Sequence, residues 1–355
     1  MAAFTGALAG PPQLPEPVIT MIKRALFFGG YFLFCLACFL LAFEVIYRYQ
    51  LIDFFQPELR ANNSTEDLRG SNRITLLAMG DSFTAGNNTW VAYLREQLPG
   101  YRIINAGVSA TGVFESLYMA PRRFRDFQPK VFIYQVYVGN DIQDIRRPLN
   151  WRTMTPARYL YGFACSYLGL RSVTFANYRL AQLFRKPGEE RALPPDGPFS
   201  PVTYPVSVTI YTRAEPGNLE DTILARGRRG RDVDTLITGI KTLTGYAPPG
   251  CRKYVVVIPD AAQVSDFYLD HMRQLGARVS QPQEFQGDDY PMLHRLQEGL
   301  RDREIKVLNP LPLFKGHERQ GRRLYYSNDS HLKPVGQSLL GEFILDRLTA
   351  DGLAS

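Results

Sequence analysis

Nineteen consecutive residues, Ala25–Phe43, carry no charge. At about 1.5 Å rise per residue, a helix of that length covers roughly 28 Å, close to the hydrocarbon thickness of a bilayer. A backbone inside lipid must satisfy its own polar groups, so a single run of this kind has one local fold open to it, the helix. A buried core helix has similar composition, but Gly29-Gly30 and the density of Phe and Leu favour lipid. Lys23 and Arg24 precede the run, with no other basic residue in the first 22; Arg48, Asp53, Glu58 and Arg60 follow it. The positive-inside rule then predicts a cytoplasmic N-terminus and an exported C-terminal part. No small-x-small site follows the run, which favours a retained anchor over a cleaved signal peptide.

The chain divides accordingly. Residues 1–22, rich in Pro, Gly and Ala, are expected to be a disordered cytoplasmic tail, 23–48 a transmembrane anchor, and 49–72 a linker in which Asn62-Asn63-Ser64-Thr65 reads as loop. Beyond it, short apolar runs recur: Ile74–Met79, Tyr101–Ile104, Val131–Val138, Lys253–Ile258 and Ile305–Leu308. Between them lie helical patterns, at Val91–Leu94 with Leu98, at Asp232–Thr244, at Tyr290–Arg303 and at Pro334–Leu348. Strand-helix alternation of this kind predicts an α/β domain over 73–350, a parallel sheet of about five strands covered on both faces. About a hundred residues separate the third and fourth runs, more than one crossover needs. An insertion at about 151–230 accounts for them: Met154–Phe184 reads as helical, Lys186–Pro201 as a Pro/Gly-rich loop, and Tyr204–Thr212 alternates like an extra strand.

Four polar patches punctuate the domain in order: Gly80-Asp81-Ser82-Phe83, Asn105-Ala106-Gly107, Gly139-Asn140-Asp141 and Asn328-Asp329-Ser330-His331. The first three end the first three strands, so they converge at one sheet edge, where parallel sheets bind ligands. Each alone is more often a turn. Together they supply the parts of acyl transfer through a serine: Ser82 as nucleophile, His331 as base, Asp329 to orient it, and the Ser82 N–H, the Gly107 N–H and the Asn140 amide as oxyanion donors. Ser82 follows a strand and precedes a helical pattern, which predicts a place near that helix's N-terminus. The other three histidines (His271, His294 and His317) show no ligand-like spacing, so neither metal nor cofactor is expected.

In these four blocks the chain resembles the SGNH/GDSL hydrolase superfamily, over about Arg73–Leu348 with an unmatched middle. The flanking stretches Asn105-Ala106-Gly107-Val108-Ser109 and Asp329–Gly336 share the resemblance. It implies a three-layer, flavodoxin-like α/β/α fold, with the triad and oxyanion donors on the residues named above. One position departs from the pattern: where the family commonly has Asp three residues before His, this chain has Asn328, and Asp329 stands two before His331. That Asp-x-His register is similar to the alginate O-acetyltransferase branch and implies polysaccharide acetylation.

The reading is a membrane-anchored serine esterase or O-acyltransferase with its catalytic domain periplasmic or extracellular. Its substrate would be an acyl ester, O-acetyl foremost, of a cell-surface glycan. Its partners would be the glycan or another small ester, the membrane through Ala25–Phe43, and a membrane-bound acyl donor in the transferase case. The alternatives are a lipase or lysophospholipase and a catalytically silent glycan-binding or scaffolding domain. Net charge is +7, with basic runs at Arg122-Arg123-Phe124-Arg125 and at 226–231. Such runs suit solvated faces, an anionic glycan or headgroups, whereas no nucleic-acid motif accompanies them. Outside the apolar run only Cys165 and Cys251 remain, consistent with one disulfide or with two free thiols.

Overall fold

A computed structural model of the chain describes residues 15–70, 72–184 and 197–353. The expected tail up to residue 14, and residues 186–196 of the Pro/Gly-rich loop, lie outside the described residues. The first helix, α1, runs Glu16–Arg48. It therefore starts inside the segment expected to be disordered. Pro17 falls in its first turn, where a missing N–H costs nothing and φ is already helical, and Glu16 complements the positive end of the helix dipole. By length and composition α1 is long and apolar enough to cross a membrane.

The chain forms two compact units, Met1–Ile46 and Tyr47–Ser355. In the second, five parallel strands lie in the order β2-β1-β3-β4-β5: β1 Ile74–Met79, β2 Tyr101–Asn105, β3 Val131–Tyr137, β4 Arg252–Ile258 and β5 Ile305–Leu308. Register is continuous across the centre, with Ala78 opposite Asn105 and Ile133, and Tyr137 opposite Ile258. Every residue of β3 is buried, as expected of a strand covered on both faces. Leu76, Leu77, Ile133 and Val255–Val257 are fully buried, each worth about 1.5–3 kcal/mol as a large apolar side chain removed from water.

The helices that matter to the site follow in chain order: α2 Trp90–Gln97, α3 Val113–Phe127, α4 Pro156–Ser166, α5 Ser172–Leu183, α6 Val206–Ala214, α7 Gly227–Thr244, α8 Pro291–Leu300 and α9 Pro334–Ala350. Helices α2 and α9 pack together, and α3, α7 and α8 form a second row. With right-handed crossovers, the reversal of strand order at β1 puts these two groups on opposite faces of the sheet. The result is a three-layer α/β/α fold with flavodoxin-like strand order. Its topological switch point lies between β1 and β3, and the polar patches ending those strands sit there.

Two expectations need correction. Tyr204–Thr212 holds no strand; from Val206 it is helix α6, started by Pro205. A strand must pair its backbone groups with a neighbour, and no sheet strand pairs with this segment among the described residues; as a helix it pairs them internally. The segment 49–72 is also no free linker. It folds into the second unit as two short helices, Gln56–Ala61 and Thr65–Arg69. A buried bidentate pair fastens it, with Arg123 Nη1 and Nη2 at 2.7 and 3.0 Å from the Asp53 carboxylate. Cys165 and Cys251 are both free and buried.

Candidate active site

The loop after β1 is shaped by Gly80. A Cβ there would come within 2.4 Å of Gln135 Oε1 and 2.6 Å of Thr84 Oγ1, so a side chain could not fit. Gln135, a fully buried amide in an otherwise apolar strand, accepts from Asp81 N at 3.0 Å and from Thr84 Oγ1 at 3.1 Å. The Asp81 carbonyl then accepts from Thr84 N and Ala85 N, closing a tight turn. Ser82 stands on that turn. Helix α2 begins only at Trp90, so Ser82 is not at a helix N-terminus, and the dipole argument for it lapses. What presents its hydroxyl is the turn itself.

His331 and Asp329 ride on a second loop. Tyr325 and Leu332 form an antiparallel bridge, and Tyr326 N donates to the His331 carbonyl at 3.1 Å. The Tyr325 hydroxyl donates to Pro259 O at 2.7 Å, which pins this loop beside the end of β4. Three groups meet in line as a result. His331 Nε2 lies 2.8 Å from Ser82 Oγ, and His331 Nδ1 lies 2.5 Å from Asp329 Oδ1. The same carboxylate oxygen accepts from His331 N at 3.1 Å, so Asp329 orients both ring and backbone. Asn328 makes no such contact. Its amide donates to Pro198 O at 2.9 Å and accepts from Ser200 N at 2.6 Å, joining the insertion to the loop that carries Asp329 and His331.

A buried aromatic stack supports the imidazole. The Phe83 ring lies 5.0 Å from the His331 ring at 26°, and Tyr137 lies 4.3 Å beyond Phe83. The Tyr137 hydroxyl donates to Asp260 Oδ2 at 2.9 Å. Burial, with the Asp260 carboxylate beside it, pushes that phenol well above its ordinary range, so it stays a donor.

The oxyanion donors fare differently. Among the described residues, the Ser82 N–H donates to no protein acceptor. The Asn140 amide donates to Asp81 Oδ2 at 3.2 Å, which fixes its orientation and leaves its second N–H. The Gly107 N–H instead donates to Asn105 Oδ1 at 3.0 Å. Gly107 is required for close approach: a Cβ there would lie 2.7 Å from Ala85 N. Below the site, burial raises the Asp81 carboxyl, and burial with Asp81 nearby raises Asp141 further. Tyr137 N donates to Asp141 Oδ2 at 2.8 Å.

Residues outside the four blocks brace them. Asn62 donates to Gly107 O at 2.8 Å and accepts from Gly86 N at 3.0 Å. Asn63 pairs with the backbone of Asn105 through both its amide atoms, each at 2.8 Å. The stretch expected as loop therefore scaffolds the glycine block. An Asn pair reads as loop from sequence, because nothing local says that its amides reach residues more than twenty positions away. Gln135 did leave a signal, a lone amide within the apolar run Val131–Val138.

No protein-family model matches the chain, and no curated protein does. Several solved structures align with most of the chain at low identity and low TM-score. One is a catalytic mutant of Axe2, an acetylxylan esterase from Geobacillus stearothermophilus, at 12% identity, covering 79% of this chain and 95% of that one with TM-score 0.36. TesA is similar at 13% identity, with coverage of 78% and 98% and TM-score 0.33. LAE5, an alpha/beta hydrolase enzyme from the metagenome of Lake Arreo, Spain, is similar at 12% identity, with coverage of 81% and 99% and TM-score 0.35.

Proposed function

We propose that this chain is a membrane-anchored serine acyl-ester enzyme of the SGNH type, acting on O-acyl esters of a cell-surface glycan. The observation that carries the reading is the continuous line Asp329–His331–Ser82, at 2.5 and 2.8 Å. With Nδ1–H donated to Asp329, Nε2 is left to accept the Ser82 proton as Oγ attacks an ester carbonyl. The oxyanion so formed is held by the Ser82 N–H and the Asn140 amide. His331 then returns the proton to the leaving alkoxide, and an acyl-enzyme remains on Ser82. Water resolves it in an esterase, whereas a sugar hydroxyl resolves it in a transferase. The chemistry is common to both until that step.

The transferase outcome draws on the Asp-x-His register and on the insertion, which Asn328 ties to the catalytic loop. A positioned acceptor hydroxyl must outcompete water at the acyl-enzyme. With an acetyl donor and surface oligosaccharides present, acetylated sugar is expected beside free acetate by mass spectrometry. Acetate alone across a broad acceptor panel would reduce the reading to a plain esterase.

The anchor reading has a separate test. Lys23 and Arg24 before the apolar run support a cytoplasmic N-terminus and an exported catalytic unit by the positive-inside rule. A reporter active only outside the cytoplasm, fused after Ser355, should therefore work. Activity from a cytoplasm-only reporter at the same point would reverse the orientation.

A further inference from the structure

Helix α4 buries one side and exposes the other. Gly162 and Cys165 are buried, whereas Leu160, Phe163 and Tyr167, spaced three and four apart, are 64%, 38% and 51% exposed, and Leu168 is 59% exposed. That spacing draws one apolar stripe along a helix and into the turn after it. A stripe of large apolar side chains on a folded surface marks a binding face.

Its place in the fold says what covers it. Arg48 is the last residue of α1, five beyond Phe43, or about 8 Å of helix, comparable to the depth of a headgroup layer. The Arg48 guanidinium donates to the carbonyl of Gly169, in the turn that follows Leu168. Tyr47 and Phe54 pack on Phe175 of α5 at 5.5 and 5.0 Å, and Arg179 of α5 donates to Phe54 O at 2.7 Å. The hairpin of α4 and α5 is therefore built on the residues that directly follow the apolar span. Tyr49, Leu51 and Ile52 continue the exposed apolar surface along those residues.

We propose that the stripe on α4 and its turn rests in the lipid interface, holding the catalytic unit against the bilayer as a second, monotopic contact. The proposal rests on the reading of α1 as a membrane span. Lipid is favoured over a protein partner because the hairpin that carries the stripe is fastened to the residues directly following the apolar run, and because Leu, Phe and Tyr are side chains that settle at the interface.

The test uses the full chain reconstituted in phosphatidylcholine vesicles, in a Trp151→Phe background where Trp90 is fully buried. Tryptophan is added singly by Leu168→Trp, by Leu160→Trp, by Phe34→Trp within the span, and by Tyr246→Trp at the far end of α7. For side chains some 5–10 Å into the interface, brominated lipid should remove about half or more of the added fluorescence at 160 and 168, as at 34, and leave 246 unchanged. Quenching at 34 but not at 160 or 168 would overturn the interfacial face while leaving the anchor intact. Quenching at none of them would remove the anchor reading, and the proposal with it. Emission at 168 shielded from aqueous iodide but untouched by brominated lipid would mean a protein covers the stripe, which also overturns it.

Discussion

Ser82→Ala is expected to fold as the parent does and to lose roughly 10⁶-fold in kcat on an activated acetyl ester, the scale of loss when a serine hydrolase loses its nucleophile. The side chain sits on a turn at the sheet edge, and among the described residues its one hydrogen bond is to His331 Nε2. Truncation therefore opens no core cavity, and stability should stay within about 0.5 kcal/mol, as for surface substitutions generally. A thermal unfolding curve beside the turnover assay separates lost chemistry from lost fold. The variant should also escape labelling by a serine-directed phosphonate that labels the parent. Near-parental turnover in a well-folded Ser82→Ala protein would sink the mechanism. A parent that neither turns over esters nor takes the phosphonate would favour a silent glycan-binding or scaffolding domain.

The sheet is legible in the sequence because its central strands are largely buried. Leu76–Met79 and Tyr254–Ile258 are apolar without interruption, Val131–Tyr137 is apolar but for Gln135, and helical patterns of period 3.6 separate them. Ser82, Asp329 and His331, marked by short local blocks in the sequence, lie within hydrogen-bond distance of one another through His331 in the structure. Sequence reasoning failed where the decisive contacts are distant in sequence. Asn62, Asn63 and Gln135 hold the nucleophile and glycine loops through amides that meet backbone more than twenty residues away. It failed again at Tyr204–Thr212, where alternation suggested a strand and the segment is helix α6 from Val206. The oxyanion assignment was only partly legible: a backbone N–H near the site carries no sign of whether a neighbouring side chain has already claimed it, as Asn105 claims that of Gly107.

The carboxylate register is where the sequence departs from the pattern of the family it resembles, and it yields the second large effect. Asp329→Asn should lower kcat by about 10²–10⁴-fold with little change in KM, the range for neutralising a triad orienter. An amide opposite Nδ1 can no longer accept as a charge, so the imidazolium formed when Ser82 is deprotonated loses its counter-charge. The ring also loses its preference for the tautomer that leaves Nε2 free. Asn328 has a different task, since both faces of its amide are engaged with residues 198 and 200 of the insertion. Asn328→Ala removes two hydrogen bonds of about 1 kcal/mol each. It should loosen that segment while leaving turnover of a small ester within about ten-fold. Asn328→Asp restores the side chain common in the family at that position, yet it loses the donor to Pro198 O and sets a second carboxylate next to Asp329. It should do worse than Asn328→Ala in stability and should not rescue Asp329→Asn. If Asn328→Asp rescues Asp329→Asn, or if Asn328→Ala costs more turnover than Asp329→Asn, the orienting carboxylate has been placed one residue too late.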